Sequence, residues 1–391
     1  MTSRSALQWL PLIIRNAHAP WRRPGTRPSL SFCAAALAAA CACTTALPAA
    51  AQANASPPAA AAADDRSVLA QALAALRKTA MNRDQVDWPA ASAEAERRLA
   101  GGAPLLDVLQ WLVVQLKDGH SRVMSPAEAQ AMANAPSGAA AAPAGRAAMP
   151  APIDPAGRLV AAASGLQLGY LRVPYLISTD PKTMADFGGK LAALQKSLAA
   201  QGARGWIVDL RGNVGGNQWP MLAGLSGLLG DGAHGSVVTP DGQRMTWGTS
   251  AGSAWMNSPD QVAISDDTFK AADTSAWPLA VLTNQRTASS GESLAISLRG
   301  RAGTRSFGDA TRGRSSANSL VPLGNGALLA ITTSVLFDRQ GKSYGGPIEP
   351  DERFGLPAPG RDDPHPGEGG LPDPVLARAV QWLDTVVPPK R

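Results

Sequence analysis

A hydroxyl placed to attack a carbonyl stands at Ser289, within Thr287-Ala288-Ser289-Ser290-Gly291-Glu292. The apolar run from Leu279 to Leu282 before it is short enough for a buried parallel strand. Leu294, Ala295 and Leu298 after it share one helix face, and Gly300 and Gly303 supply the stop. Strand, small-residue turn and helix present a serine at a helix N-terminus, where free N–H groups and the dipole favour a developing oxyanion. Ser289 is therefore read as a nucleophile. The same pattern also fits plain capping, with Ser289 or Ser290 as N-cap and Glu292 three or two places on.

Such a nucleophile needs a base. His120, in Lys117-Asp118-Gly119-His120-Ser121, closes a helical stretch, and an unperturbed imidazole titrates near ~6.5, suited to that work. A histidine at a helix C-terminus also fits a simple dipole partner. His234 lies in a glycine-rich loop and His365 in a Pro/Gly/Asp segment, and both read as solvent-exposed. No HExxH, CxxC or Walker glycine loop occurs, so no metal or cofactor is expected.

The elements that must position these groups follow from pattern and composition. Residues 1–53 read as a secretory signal: Arg22, Arg23 and Arg27 precede the apolar run Phe32 to Leu47, and Ala51-Gln52-Ala53 offers a small-x-small cleavage site. That places the mature chain in the periplasm or outside the cell. Cys41 raises a lipoprotein reading, although leucine sits one place too far away for a good lipobox. Cys33, Cys41 and Cys43 all lie in this leader, so the mature chain is expected to hold no disulfide. The formal charge of +6 also belongs mostly to the leader. Its five arginines and no acidic residue leave 31 basic against 30 acidic side chains in the remainder, which argues against a nucleic-acid partner. The leader's apolar run is too short and alanine-rich for a stable membrane span.

After an Ala/Pro tether at 54–63, expected to be disordered, residues 64–129 read as a helical N-terminal domain. Val68, Leu69, Ala72, Leu73 and Leu76 keep helical spacing, and Leu105 to Leu116 repeats it up to Lys117–Ser121. Residues 130–157 form a low-complexity Ala/Pro linker. From 158 to 391 strands alternate with helices, which predicts an α/β core, with a C-terminal helix over Asp373 to Val386.

Three stretches resemble one family, the C-terminal processing (tail-specific) peptidases with their tricorn-core and interphotoreceptor retinoid-binding relatives. Asp209-Leu210-Arg211-Gly212-Asn213-Val214-Gly215-Gly216 is similar to its Asp-Leu-Arg-x-Asn-x-Gly-Gly turn, and Ser289 to Glu292 to its Ser-x-x-Glu segment. Leu116 to Ser121 looks like the Leu-x-Asp-x-His-Ser/Thr element of members that use histidine. Gly308 to Gly313 and Pro350-Asp351 add weaker support. The resemblance implies a ClpP/crotonase-like α/β core of ββα units and a serine endopeptidase acting on proteins or peptides. Ser289 would form the acyl-enzyme, with His120 as general base.

The oxyanion would meet the backbone N–H of Ser290 and the backbone at Gly215 and Gly216, which approach closely because they lack a Cβ; a tight turn needing positive φ explains those glycines equally. Asp118 would orient His120 locally, Asp209 brace the glycine turn, and Glu292 cap or brace the helix. The chain departs from the pattern in three places. Arg314 stands where tail-specific members carry the base lysine, and a guanidinium cannot be deprotonated. Tyr344 stands where tricorn-like relatives carry a glutamate, leaving nearby Glu349 as the third member. Ser125 to Ala163 is too short for the peptide-binding PDZ domain, so tail specificity does not carry over. The rival is a catalytically degenerate module binding apolar ligands or peptides on the same fold.

Overall fold

A computed structural model of the chain describes residues 64–134, 154–259, 262–360 and 363–388. The expected leader, the tether and residues 135–153 of the linker lie outside the described residues, as do all three cysteines.

Three helices open the described chain. Asp64 caps α1 (Asp65–Thr79) by accepting the Ser67 N–H at 2.8 Å, and Asp87 caps α2 (Trp88–Ala100) by accepting that of Ala90 at 3.1 Å. The third, α3 (Leu105–Val114), buries Leu105, Val108, Leu109, Leu112 and Val113. Strand β1 (Arg122–Met124) and α4 (Pro126–Asn134) follow. The α3 helix stops earlier than the sequence suggests. Asn82 Nδ2 donates to the Leu116 carbonyl at 3.0 Å, and Lys117 (φ 52) and Gly119 (φ 64) turn the chain left-handed. His120 therefore sits on a loop and not at a helix end.

The remaining elements are β2 (Ala156–Ala161), β3 (Gln167–Arg172), α5 (Pro181–Ala200), β4 (Trp206–Asp209), α6 (Gln218–Gly224) and α7 (Ser226–Leu229). Next come β5 (Gly232–Val238), β6 (Arg244–Ser250), β7 (Ser253–Met256), β8 (Val262–Ser265), β9 (Leu279–Thr283) and α8 (Ser290–Arg299). The chain closes with β10 (Thr304–Gly308), β11 (Ser316–Pro322), β12 (Leu328–Asp338), β13 (Glu352–Arg353) and α9 (Pro374–Val386).

Two sheets result. The first runs β13-β10-β9-β4-β3-β2, parallel throughout except for the β2–β3 pair. Its central strands are apolar on both faces, as parallel strands covered by helices must be. Trp206, Val208, Leu279 and Val281 face a core shared with Leu191 of α5, Met221 of α6 and Leu294 of α8. Their neighbours Ile207, Ala280 and Leu282 face Val375, Ala379 and Leu383 of α9. The two-residue strand period thus buries both sides at once.

The second sheet is antiparallel, in the order β1-β12-β5-β6-β7-β8, with β11 on the other edge of β12. Val237, Trp247, Ala254 and Leu336 from this sheet join the same core as α5, α6 and α8, so those helices lie between two sheets. The α/β class and the helical N-terminal region are as expected; the antiparallel meander over 232–265 was not legible in the residue pattern. The helices α1–α3 bury their apolar faces with Leu323, Ala327, Leu329 and Ile331 around the β11–β12 turn. They share a core with that hairpin, and the described residues form one compact unit.

Candidate active site

The chain leaves β9 through Asn284–Ala288 and enters α8 at Ser289, which occupies the N-cap position with φ 53 and ψ −117. A non-glycine residue at positive φ is strained and persists only where its surroundings over-determine it. They do. The Glu292 carboxylate accepts the Ser289 N–H at 2.8 Å, and Ala288 N–H donates to the Asn213 carbonyl at 2.9 Å. Thr287 ties its hydroxyl to the Leu210 carbonyl at 2.9 Å and its own carbonyl to the Arg312 N–H at 2.8 Å. Glu292 is fully buried and also accepts from the Thr311 hydroxyl and from the N–H groups of Gly313 and Arg314, both at 2.8 Å. Burial raises its carboxyl above the ordinary range despite those donors. It bonds the helix start and fastens it to the loop before β11.

The glycine turn packs directly against this serine. A Cβ on Gly215 (φ +109) would meet Ser289 Cβ at 2.7 Å, and one on Gly216 (φ +102) would meet the Leu176 carbonyl oxygen at 2.0 Å. Asn213 pins the turn, its amide donating to the carbonyls of Val173 (3.1 Å) and Pro174 (3.2 Å) and its Oδ1 accepting the Gly215 N–H at 3.0 Å. This corrects the sequence reading, because the Gly215 N–H already has an acceptor. Gly215 contributes room. Among the described residues, the N–H groups of Gly216 and Ser290 donate to no other group, and the Ser290 hydroxyl fixes the Gly216 carbonyl at 2.5 Å.

Below the turn, Asp209 is fully buried between the Arg211 guanidinium (2.6 Å) and the Tyr170 hydroxyl (2.8 Å). Burial works to raise its carboxyl, yet the Arg211 charge wins and holds it well below the usual range. Arg211 reaches on to Asp373, the N-cap of α9, at 2.8 and 2.7 Å.

His120, 9 % exposed, points its Nε2 at Ser289 Oγ from 3.1 Å. Its Nδ1 lies 2.8 Å from Ser316 Oγ on β11. Asn318, two places along the same strand, donates to the His120 carbonyl at 3.1 Å. Asp118 accepts the N–H groups of His120 (2.9 Å) and Ser121 (2.8 Å), so it orients the loop backbone and leaves the ring to others. Burial, with the nearby charges of Arg314 and Arg122, outweighs the pull of Asp118 and lowers the imidazole to about 4. At neutral pH the ring is uncharged, so one ring nitrogen carries a hydrogen and the other is free to accept a hydrogen bond.

Glu349 does not complete this group. Its exposed carboxylate pairs with Arg353 at 3.6 Å, and its carbonyl accepts from Arg299 at 2.6 Å. The 349–351 segment packs beside β10 through Asp351 and Ser306, and the Glu349 carboxylate turns to Arg353. Two further corrections concern histidines read as exposed. His234 is fully buried between Thr249 and Arg339, and burial there lowers it to about 3. His365 is 9 % exposed, with Nε2 3.5 Å from Asp209. Ser316 and Asn318 were not singled out from the sequence, and Asn213, matched in the glycine turn, was given no role there. Their only signal is polar residues two apart in a strand and an asparagine inside the glycine turn.

Among the described residues, no cluster of three or more His, Cys, Asp or Glu is placed to hold a metal ion, and no helix is long and apolar enough to cross a membrane.

Residues 167–354 match peptidase family S41. Over 159 residues the chain is 36% identical to a nisin-resistance protein from Lactococcus lactis subsp. lactis, covering 40% of this chain and 48% of the relative. Over 194 residues it is 26% identical to a carboxy-terminal-processing protease from Bartonella bacilliformis, covering 49% of this chain and 40% of that one. The chain thus spans less than half the length of these curated relatives. A lipoprotein from Streptococcus agalactiae shares the fold, with TM-score 0.62 and 23% identity over 84% of this chain and 97% of its own. The segment that carries both the glycine turn and Ser289 is a domain of peptidase family S41, the serine-type peptidase family that the three motifs resemble.

Proposed function

We propose that this protein is a secreted serine endopeptidase in which Ser289 is the nucleophile and His120 the general base. The observation that carries the reading is the 3.1 Å approach of His120 Nε2 to Ser289 Oγ, across 169 residues of sequence. The hydroxyl gives its proton to Nε2 as its oxygen bonds to the peptide carbonyl carbon. The carbonyl oxygen gains the negative charge beside the N–H groups of Gly216 and Ser290 and the positive end of α8. The imidazolium returns the proton to the departing amine, leaving an ester on Ser289. Water, deprotonated by His120, then attacks the ester carbon; the acyl–oxygen bond breaks, the acid leaves and His120 returns the proton to Ser289 Oγ. Arg314 takes no proton in this scheme; its charge helps keep the resting ring neutral.

Nisin is the first peptide to test, given the name of the Lactococcus lactis relative. Export follows from the arginines and apolar run of residues 1–53, and fusion of that segment to a periplasmic reporter tests it.

A fluorophosphonate probe tests the mechanism. The reading expects stoichiometric labelling of wild type, none in Ser289→Ala, and labelling slowed at least ~100-fold in His120→Ala. Folded wild-type protein that takes no label would overturn it in favour of a binding module. Ester substrates cleaved without peptide substrates would move the activity to an esterase or acyltransferase.

A further inference from the structure

We propose that Ser316 is a positioning residue for the reaction, holding the His120 ring so that its basic nitrogen faces Ser289. The inference rests on the peptidase reading above and assigns the third place, which no carboxylate fills, to a neutral hydroxyl on β11.

The geometry is specific. Ser316 and Asn318 lie two apart on one strand, so they share a face, and both meet His120: Ser316 Oγ at ring Nδ1, 2.8 Å, and Asn318 Nδ2 at the backbone carbonyl, 3.1 Å. One strand therefore grips the residue at both ends. Asn318 is held in turn by the Thr332 hydroxyl at 3.0 Å, and the Thr332 N–H donates to the Ser121 hydroxyl at 2.9 Å, so β12 grips the loop as well. Opposite Ala317 and Asn318 the β11–β12 register slips by one residue. Such irregularities add local twist and re-aim side chains beside functional sites.

Proton placement follows. A neutral imidazole carries one N–H, and Nε2 must be bare to accept from Ser289. The proton then sits on Nδ1 and donates to Ser316 Oγ. A carboxylate in this place would both fix that tautomer and stabilise the imidazolium. A hydroxyl fixes the tautomer alone. The charged groups acting on the ring are Arg314 from the loop before β11, Arg122 on β1 and Asp118 on its own loop; Glu292, at the start of α8, touches Ser289 and the Arg314 backbone. The ring thus remains a neutral acceptor across the range where a His–carboxylate pair would already be protonating.

The test uses the full chain carrying Ser316→Ala, Ser316→Thr and Ser316→Asp. Nitrogen-15 NMR of the His120 ring reads the tautomer whether or not the protein hydrolyses anything, so failure of the peptidase reading and failure of this one separate. Wild type is expected to carry its proton on Nδ1. Ser316→Ala should slow fluorophosphonate labelling about tenfold, the worth of one neutral hydrogen bond, and change peptide kcat while KM stays within about twofold. Ser316→Thr, which keeps the hydroxyl, should restore the rate. Ser316→Asp should move the acid limb of the rate profile up by about 1–3 pH units. A wild-type ring protonated on Nε2 would overturn the proposal. So would a folded Ser316→Asp protein whose acid limb does not move.

Discussion

Replacing Gly215 by alanine isolates the close approach on which the placement of Ser289 depends. The new Cβ would lie 2.7 Å from Ser289 Cβ, 2.9 Å from the Ala288 carbonyl oxygen and 3.1 Å from the Ser290 nitrogen, and the backbone would have to keep φ near +109. Two costs add: about 1–3 kcal/mol for an L-residue at that dihedral and about 1–3 kcal/mol for the overpacking. Gly102→Ala serves as control, since its φ is +85 but no atom lies within 4 Å of the added Cβ. It carries only the dihedral cost, about 1–2 kcal/mol. At roughly 1.5 °C per kcal/mol for a unit of this size, melting should fall about 3–9 °C for Gly215→Ala and about 2 °C for the control. The sharper readout is chemical. A nucleophile displaced by about 1 Å loses on the order of 100-fold in rate, so fluorophosphonate labelling should nearly vanish in Gly215→Ala and persist in Gly102→Ala. If Gly215→Ala labels at the wild-type rate and melts with the control, the packed turn is not what positions Ser289.

The His120 imidazole, lowered to about 4, predicts labelling that holds its rate down to about pH 5, whereas an unshifted ring would halve it near pH ~6.5. The folded value lies below the unfolded one, so this group's stabilising contribution is complete above ~6.5 and is lost as pH falls through about 4, at most about 3 kcal/mol. Denaturant midpoints of wild type and His120→Gln across that range check the sign. Glu292→Gln turns one acceptor oxygen into a donor facing the N–H groups of Ser289 and Arg314. Chemical denaturation should show a loss of about 2–4 kcal/mol, together with slower labelling. Glu349→Ala removes only an exposed carboxylate paired with Arg353, so peptide kcat/KM should stay within about twofold; a large loss would return Glu349 to the site.

Much of this protein was legible because its signals are local. Helical patterning marked α1, α3 and α9, and a buried run marked β9, since each needs only neighbouring residues to express itself. The serine turn, the glycine turn and the Asp-Gly-His loop were also visible as short motifs, and the structure brings their residues together. The antiparallel sheet was not visible: β5 to β8 are short and partly polar, and their stability comes from pairing and from the helices packed on one face.

The sequence by itself marked Ser289 and His120 as candidates for chemistry and the turn where backbone must lack a side chain. Only the tertiary structure decided what each group is bonded to. Ser316 reaches His120 across 196 residues, Asn213 claims the Gly215 N–H, and burial among Thr249, Arg339 and Asp209 overturns the exposed reading of two histidines. Hydrogen bonds are directional and short, so the identity of a partner depends on ångström placement that only the packed core fixes.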